Sequence, residues 1–331
     1  MFAIALGTGT LDANGQLLEA YFPYPVSNPS DALVQALLGD AQPGHQVAVD
    51  EGCAERLNAI GETQMASAVT TLGDKAFITA LTDDAEPSST AEVYLKLTLI
   101  STRQAKPHEL NLTGLFAQLP NVAWTNEGAI ALDELTERQI AARAQGRTLT
   151  VNSVDKFPRM ADYAVPAGVR IGDASRVRLG AHLGDGTTVM HEGFVNFNAG
   201  TAGVSMVEGR ISAGVMVGEG SDLGGGCSTM GTLSGGNSII ISVGEQCLLG
   251  ANSGLGIPLG DRCTIESGLY LTAGSKVRVL DENGQTLKEV KARDLAGVSD
   301  LLFRRNSMSG TIECLANARA IELNPALHSH N

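Results

Sequence analysis

The sequence predicts a mainly β chain organised around a parallel β-helix, a hexapeptide-repeat solenoid at residues 151–277. An α/β domain at 1–150 precedes it, and a C-terminal β extension of hairpin and tail follows at 278–331. Three observations carry this. Of the 39 glycines, 25 fall between Gly168 and Gly274. Aliphatic residues recur there at every sixth position. Aromatic residues are only 4% of the chain, which suits thin repeated layers better than one bulky core.

Taken in order, the first 150 residues alternate between element types. Residues 93–100, with Val93, Leu95, Leu97 and Leu99 in alternation, read as a strand. Residues 108–119 and 133–145 read as helices, the second with Asp133, Glu134 and Glu137 at the end where a helix dipole favours acids. The acidic run 83–89 with Pro87 reads as a loop.

The repeat then runs Val165, Ile171, Val177, Leu183, Val189, Val195, with Thr201 a weak member and Val207 and Ala213 in the same register. After a shift come Val217 and Leu223; then Val243, Leu249 and Leu255; then Leu259, Ile265, Leu271 and Val277. A six-residue period fits neither a 3.6-residue helix nor a two-residue strand alternation. Three hexapeptides close a coil of about 18 residues with the aliphatic side chains pointing inward, so the run makes about six stacked coils. Glycine is needed where the chain turns a corner close to another backbone.

The repeat breaks between Leu223 and Val243. The stretch from Gly224-Gly225-Gly226 to Gly235-Gly236-Asn237 is too long and too glycine-rich for a corner, so part of it is expected to leave the prism as a loop, a common place for function. Beyond the repeat, Asn283-Gly284 joins 276–280 to 286–290 as a hairpin. The last residues, around His328 and His330, are expected to fray.

Composition narrows the function. With 36 acidic against 23 basic residues the net charge is −13, the wrong sign for a nucleic-acid or membrane-surface binder. No apolar run is long enough to span a bilayer, and the N-terminal residues lack the basic region and cleavage site of a signal peptide. The expected location is the cytoplasm. Five cysteines without CxxC spacing argue against a disulfide framework or a zinc site, and read as small buried residues.

The chemistry-bearing residues are few. His182 and His191 lie half a coil apart and are expected on different sides, so they do not suggest zinc; His191 as a general base is the lesser alternative to a structural histidine. No GxGxxG or Walker A sequence is present. Basic residues cluster beyond the solenoid at Lys276, Arg278, Lys288, Lys291, Arg293, Arg304 and Arg305, which in so acidic a chain suggests an anionic ligand. Glu208 and Arg210, outward-facing in the repeat, pair a base or nucleophile with an anion-binding guanidinium. Phe194, Phe197 and Met206 are also expected to face outward, where a neighbouring copy would cover them.

Several stretches resemble the tetrahydrodipicolinate N-succinyltransferases of diaminopimelate and lysine biosynthesis, in the form found in actinobacteria and some proteobacteria. They lie between about residues 151 and 310: SVDKFPRM at 153–160, VMHEGFVN at 189–196, SMVEGRISAG at 205–214, LLGANSGLG at 248–256, and 301–310. The resemblance implies a left-handed β-helix and a homotrimer. It implies succinyl transfer from succinyl-CoA to the amine of ring-opened tetrahydrodipicolinate. Glu208 falls on the family's catalytic glutamate, as nucleophile through an acyl anhydride or as general base, and Arg210 on a ligand-binding arginine. Substrate and CoA contacts fall on Gly225, Ser228, Ala251, Glu266, Ser267 (alanine in relatives), Gly274, Lys291, Arg304, Arg305, Asn306 and Ser307. Glu192 falls on a magnesium ligand at the threefold axis, while Ser175 stands where a second such ligand is an aspartate. Three like carboxylates brought together there would need a cation or protons. The alternative activity is another CoA-dependent acyl transfer, with acetyl-CoA and an amino-acid or amino-sugar acceptor.

Overall fold

The computed structural model describes residues 1–231 and 239–316. Gly235, Gly236 and Asn237 of the glycine-rich insertion, and His328 and His330, lie outside the described residues. The chain forms two compact units. One comprises Met1–Leu99, Glu109–Pro158 and Asp162–Ala164; the other comprises Ile100–His108, Arg159–Ala161 and the chain from Val165 onward.

In the first unit Ala3–Leu11 pairs antiparallel with Leu17–Tyr21, Val26–Ser27 and Phe77–Leu81. Helices Asp31–Leu38, Cys53–Ala59 and Thr63–Leu72 supply Leu33, Leu37, Leu57 and Met65 to a core with Ile4, Leu6 and Ile78. A second sheet orders Gly128–Ala131, Val122–Thr125 and Val151–Asp155. The expected helix at 133–145 is present as Leu135–Ala144.

Two expectations for this unit fail. Residues 93–100 are helical, within Thr90–Ser101, and every one of them is at most 1% exposed. The apparent alternation came from Tyr94, Lys96 and Thr98, which are not on a solvent face. Lys96 Nζ donates to Asp84 Oδ1 (2.7 Å) and the Ala85 and Asn111 carbonyls (2.5 and 2.9 Å), and Thr98 Oγ1 donates to the Tyr94 carbonyl one turn back. The expected helix at 108–119 shrinks to Leu115–Gln118, because His108 (φ 71°) and Gly114 (φ 74°) are left-handed and interrupt it.

The second unit is the solenoid. Short parallel strands stack in three sheets, one per face. One face runs Ala181–Leu183, Ala199–Thr201, Met216–Val217 and Ser242–Val243. The next includes Thr187–Val189, Ser205–Val207, Ser221–Leu223, Leu248–Leu249 and Thr264–Ile265. The third runs Phe194–Val195, Arg210–Ile211, Ser228–Thr229, Gly254–Gly256 and Tyr270–Thr272. Inward Val177, Leu183, Val189, Val195, Val207, Leu223, Val243, Leu249, Leu255, Leu259, Ile265, Leu271 and Val277 form its core. Thr201 belongs inside as well, its hydroxyl 2.7 Å from that of Thr187.

The register needs two corrections. After Val207 the next inward residue is Ile211, four positions on, and Ala213 is only half-buried. Val165 is 68% exposed, because the strand sheet begins only at Arg170–Ile171 and no earlier coil lies over it. Gly224, Gly225 and Gly226 stay within the prism, in a corner of ordinary length leading into Ser228–Thr229, and the stretch 232–238 of the same break lies outside the described residues. The hairpin is present, Lys276–Leu280 against Thr286–Lys291. Leu301–Arg305 joins the solenoid face by pairing in parallel with Thr264–Ile265 and antiparallel with Ile312–Ala316.

Phe197 and Met206 are 4% and 7% exposed within the single chain, against the expectation that they face outward, while Phe194, beside the Arg176 guanidinium (6.0 Å), is half-buried. The segment Ile100–His108 is bonded to the solenoid. The His108 backbone N–H donates to Asn198 Oδ1 (2.9 Å), its ring lies 2.8 Å from the Gly214 carbonyl, and Arg103 Nε donates to the Leu183 carbonyl (2.6 Å).

Candidate functional site

The site begins at an irregular corner. Four residues separate Val189 from Phe194, Leu223 from Ser228, Leu249 from Gly254 and Ile265 from Tyr270. Only two, Glu208 and Gly209, separate Val207 from Arg210. So tight a turn leaves no room for a side chain at Gly209, where a Cβ would overlap the Cys227 sulfur and meet its carbonyl oxygen at 2.6 Å. Shortening the corner brings Glu208 and Arg210 to the same edge of the prism. Glu208 is half-buried, its Oε2 3.6 Å from where a Cβ on Gly225 would stand, so Gly225 keeps the space before the carboxylate clear.

Arg210 is exposed and held by Nε to Ser228 Oγ (3.3 Å). Its terminal nitrogens make no hydrogen bond among the described residues, which leaves a fork open to a carboxylate. In register with Phe194 and Arg210 come Ser228, Gly254 and Tyr270. The Tyr270 ring lies where a side chain on Gly254 would be, and a Cβ on Gly256 would meet the Met230 sulfur at 2.6 Å. Tyr270 and Met230 are 52% and 40% exposed. Sequence reasoning missed both; only the stacking register reveals them. Burial pushes the neutral Cys227 thiol up to about 12, so it acts here as packing and not as a nucleophile.

A second row runs along the solenoid axis. The backbone N–H groups of Glu208, Gly224, Gly250 and Glu266 donate in succession to Leu223, Leu249, Ile265 and Phe303. Ala251 and Ser267 stack beside this row: a Cβ on Gly250 would meet Ser267 backbone and hydroxyl at 2.5 and 2.7 Å. At its end, Glu266 Oε2 accepts the Arg305 backbone N–H (2.7 Å), and Arg304 Nε donates to Glu313 Oε2 (3.0 Å). Asn306 caps the following turn by accepting from Met308 and Ser309, and Ser307 lies exposed in that turn. Gly274 and Lys291 come together separately, where the Ala292 and Arg293 N–H groups donate to the Ser275 and Ala273 carbonyls.

Glu192 is exposed one coil before Glu208, next to the Arg176 guanidinium, which donates to the Glu192 backbone carbonyl (2.8 Å). Ser175 gives its hydroxyl to Asp173 Oδ1 (2.6 Å), and that bond, with the Ser175 N–H, holds the Asp173 carboxyl below its usual range. One carboxylate, an engaged hydroxyl and an adjacent guanidinium do not make a magnesium site within one chain. Among the described residues no group of three His, Cys, Asp or Glu is arranged to hold a metal ion. His182 is buried with its ring 3.1 Å from the Ala105 carbonyl, and burial lowers its pKa, as a structural histidine requires. All five cysteines are free and buried. No helix among the described residues is long and apolar enough to cross a membrane.

A cleft of about 250 Å³ in the first unit is lined by His45, Asp83, Glu86, Ser88 and Glu92. Three carboxylates make it the wrong sign for a CoA phosphate.

Comparison with known proteins bears on this arrangement. A family model described as tetrahydrodipicolinate N-succinyltransferase N-terminal matches residues 54–117, and one described as the middle part of the same enzyme matches 119–159. A model described as the hexapeptide repeat of succinyl-transferase matches 240–273. The chain is similar over 100% of its length to 2,3,4,5-tetrahydropyridine-2,6-dicarboxylate N-succinyltransferases of Vibrio cholerae (60% identical, 99% of that protein) and Pseudomonas putida (57%, 99%). A crystal structure of a Campylobacter jejuni protein described as a putative 2,3,4,5-tetrahydropyridine-2-carboxylate N-succinyltransferase superposes with a TM-score of 0.87. It is 32% identical, covering 96% of this chain and 93% of that one. The likeness therefore extends through the first 150 residues, beyond the stretches the sequence motifs marked. It is of the Vibrio and Pseudomonas type, and the actinobacterial-type form expected from the motifs is not supported. This chain belongs to the tetrahydrodipicolinate N-succinyltransferase family.

Proposed function

We propose that the chain transfers the succinyl group of succinyl-CoA to the amine of ring-opened tetrahydrodipicolinate, a step of diaminopimelate and lysine biosynthesis. The observation that carries this is identity of 60% over the whole chain to a protein of that activity. A thioester is already activated, so the protein has to position it, keep the amine neutral and accommodate the oxyanion. Glu208 is the group we assign to the reacting centre. As a base it takes the proton the amine loses on attacking the carbonyl, and CoA leaves as the thiolate. As a nucleophile it would first form an acyl anhydride. Arg210, anchored by Ser228, binds a substrate carboxylate with its free fork.

Support for the acyl-CoA site comes from the axial row. From Glu208 to Arg304 is four inter-strand steps, about 19 Å at the usual spacing, the scale of an extended pantetheine arm. Thioester at Glu208 and phosphates at Arg304, Arg305 and Lys291 would suit that span, with Gly225, Ala251, Glu266, Ser267 and Gly274 along the way and Asn306 and Ser307 at the turn. Homotrimer assembly is part of the proposal; exposed Met230, Ile240 and Tyr270 are the apolar side chains a second copy would cover. Magnesium at Glu192 would need donors from other copies, and no step above runs through it.

The test is CoA release on mixing enzyme, tetrahydrodipicolinate and either succinyl-CoA or acetyl-CoA. Turnover with succinyl-CoA is expected; equal or faster turnover with acetyl-CoA would overturn the acyl-donor assignment.

A further inference from the structure

Four strands of the C-terminal extension carry a row of charges that the linear sequence hides. Arg278 is opposite Glu289 in the hairpin and opposite Glu313 on its other side, and Glu313 is opposite Arg304. The signs alternate across the sheet: Glu289, Arg278, Glu313, Arg304. Strand Leu301–Arg305 then pairs with the solenoid through Ile265 and Phe303, the residues immediately before Glu266 and Arg304. The row thus leads from solvent to the end of the axial row.

Its rungs are not equivalent. The Glu289 and Arg278 side chains are 60% and 37% exposed, and their 3.1 Å contact is a surface pair of small value. The Glu313 side chain is 6% exposed. One of its oxygens accepts from Arg304 Nε (3.0 Å) and the other from the Asn306 amide (2.8 Å). These two bonds, that from Asn306 foremost, hold its carboxyl below the usual range. Arg304 is 45% exposed, and Nε is the only nitrogen of its guanidinium bonded within the described residues. A guanidinium fixed by Nε has lost its swing and presents both terminal amines outward.

We propose that Glu313 is a positioning residue for the acyl-CoA site. It holds Arg304 and Asn306, on either side of Arg305, in one orientation toward an anionic ligand. The proposal rests on the reading of Arg304–Ser307 as CoA contacts. It does not make Glu313 a catalytic residue, since its own oxygens are both engaged.

The experiment compares Glu313→Gln, Arg304→Ala, the double variant and Glu289→Gln, by steady-state kinetics in each substrate and by thermal denaturation. Loss of the charged bond to Arg304 is expected to raise KM for succinyl-CoA about tenfold in Glu313→Gln. KM for tetrahydrodipicolinate and kcat should move less than twofold. Arg304→Ala should give a similar rise, the double variant no further rise, and Glu289→Gln none. A normal succinyl-CoA KM in Glu313→Gln beside a raised one in Arg304→Ala would overturn the positioning role and leave the CoA reading standing. A normal KM in Arg304→Ala would instead remove Arg304 from the CoA site, and the proposal with it. If Glu313→Gln lowers the melting temperature and raises both KM values together, Glu313 is a structural residue only.

Discussion

Val189, Val207, Leu223, Leu249 and Ile265 stand on one row of the solenoid, each beside the next because the coil repeats. In the first unit Lys96 is buried by Asp84, Ala85 and Asn111, and no spacing rule relates their numbers. Inside a solenoid, contacts are local and periodic, so one pattern predicts them all. In an α/β unit, tertiary partners decide whether a polar residue can be interior. The contrast also divides labour along the solenoid itself. Inward side chains carry the fold, and the outward edge at Glu208 and Arg210 is left free for chemistry.

The sharpest test of that division is Glu208→Gln, which keeps size and removes both base and nucleophile. We expect kcat to fall by about 10²–10⁴, the usual range for a lost acid–base group. Thermal stability should be unchanged, because the Glu208 side chain faces outward. Near-normal kcat would show that the shortened corner is a structural irregularity alone.

Next in size is Lys96→Met in the first unit. It leaves the Asp84 carboxylate with the Asn111 N–H (2.9 Å) and no cation. Breaking a buried pair costs about 3–5 kcal/mol, and with Asp84 still 27% exposed about 3 kcal/mol is expected from denaturant titration. A loss under about 1 kcal/mol would mean that the helix tolerates an apolar residue there, and that its burial is less dependent on distant partners than the comparison holds.

Gly184→Ala probes the periodic side of the comparison. A Cβ at Gly184 would overlap the backbone of Ala202 and Gly203 in the next coil. Overpacking of this kind costs about 1–3 kcal/mol, to be read in the denaturation of the second unit. A neutral result would mean that the coils can slide apart without loss.

The smallest effect concerns the cysteines. Burial raises the Cys227 and Cys314 thiols to about 12, above the unfolded value, so in the folded state both stay protonated through pH 7–9. With all five thiols buried, native protein should react negligibly with a thiol reagent such as DTNB at pH 8, while denatured protein should release five equivalents. Fast labelling of Cys227 or Cys314 in the native protein would show that the prism opens.

Periodicity established the solenoid and most of its inward residues, because a repeat of six with glycine at the corners has one way to bury its aliphatic side chains, and the Asn283-Gly284 turn established the hairpin. The motifs around Glu208 and Arg304 likewise picked out the outward residues to which we assign the chemistry. What only the tertiary structure decided is where periodicity fails. The four-residue step from Val207 to Ile211 was read as a continued six, because Ala213 is small enough to pass as a repeat member. The helix Thr90–Ser101 passed for a strand, because its polar residues are interior only by virtue of partners elsewhere in the chain. Glu313 carried no signal at all. Its meaning depends on which strands lie beside it, and register between strands 9 and 35 residues apart is set by folding and not by spacing.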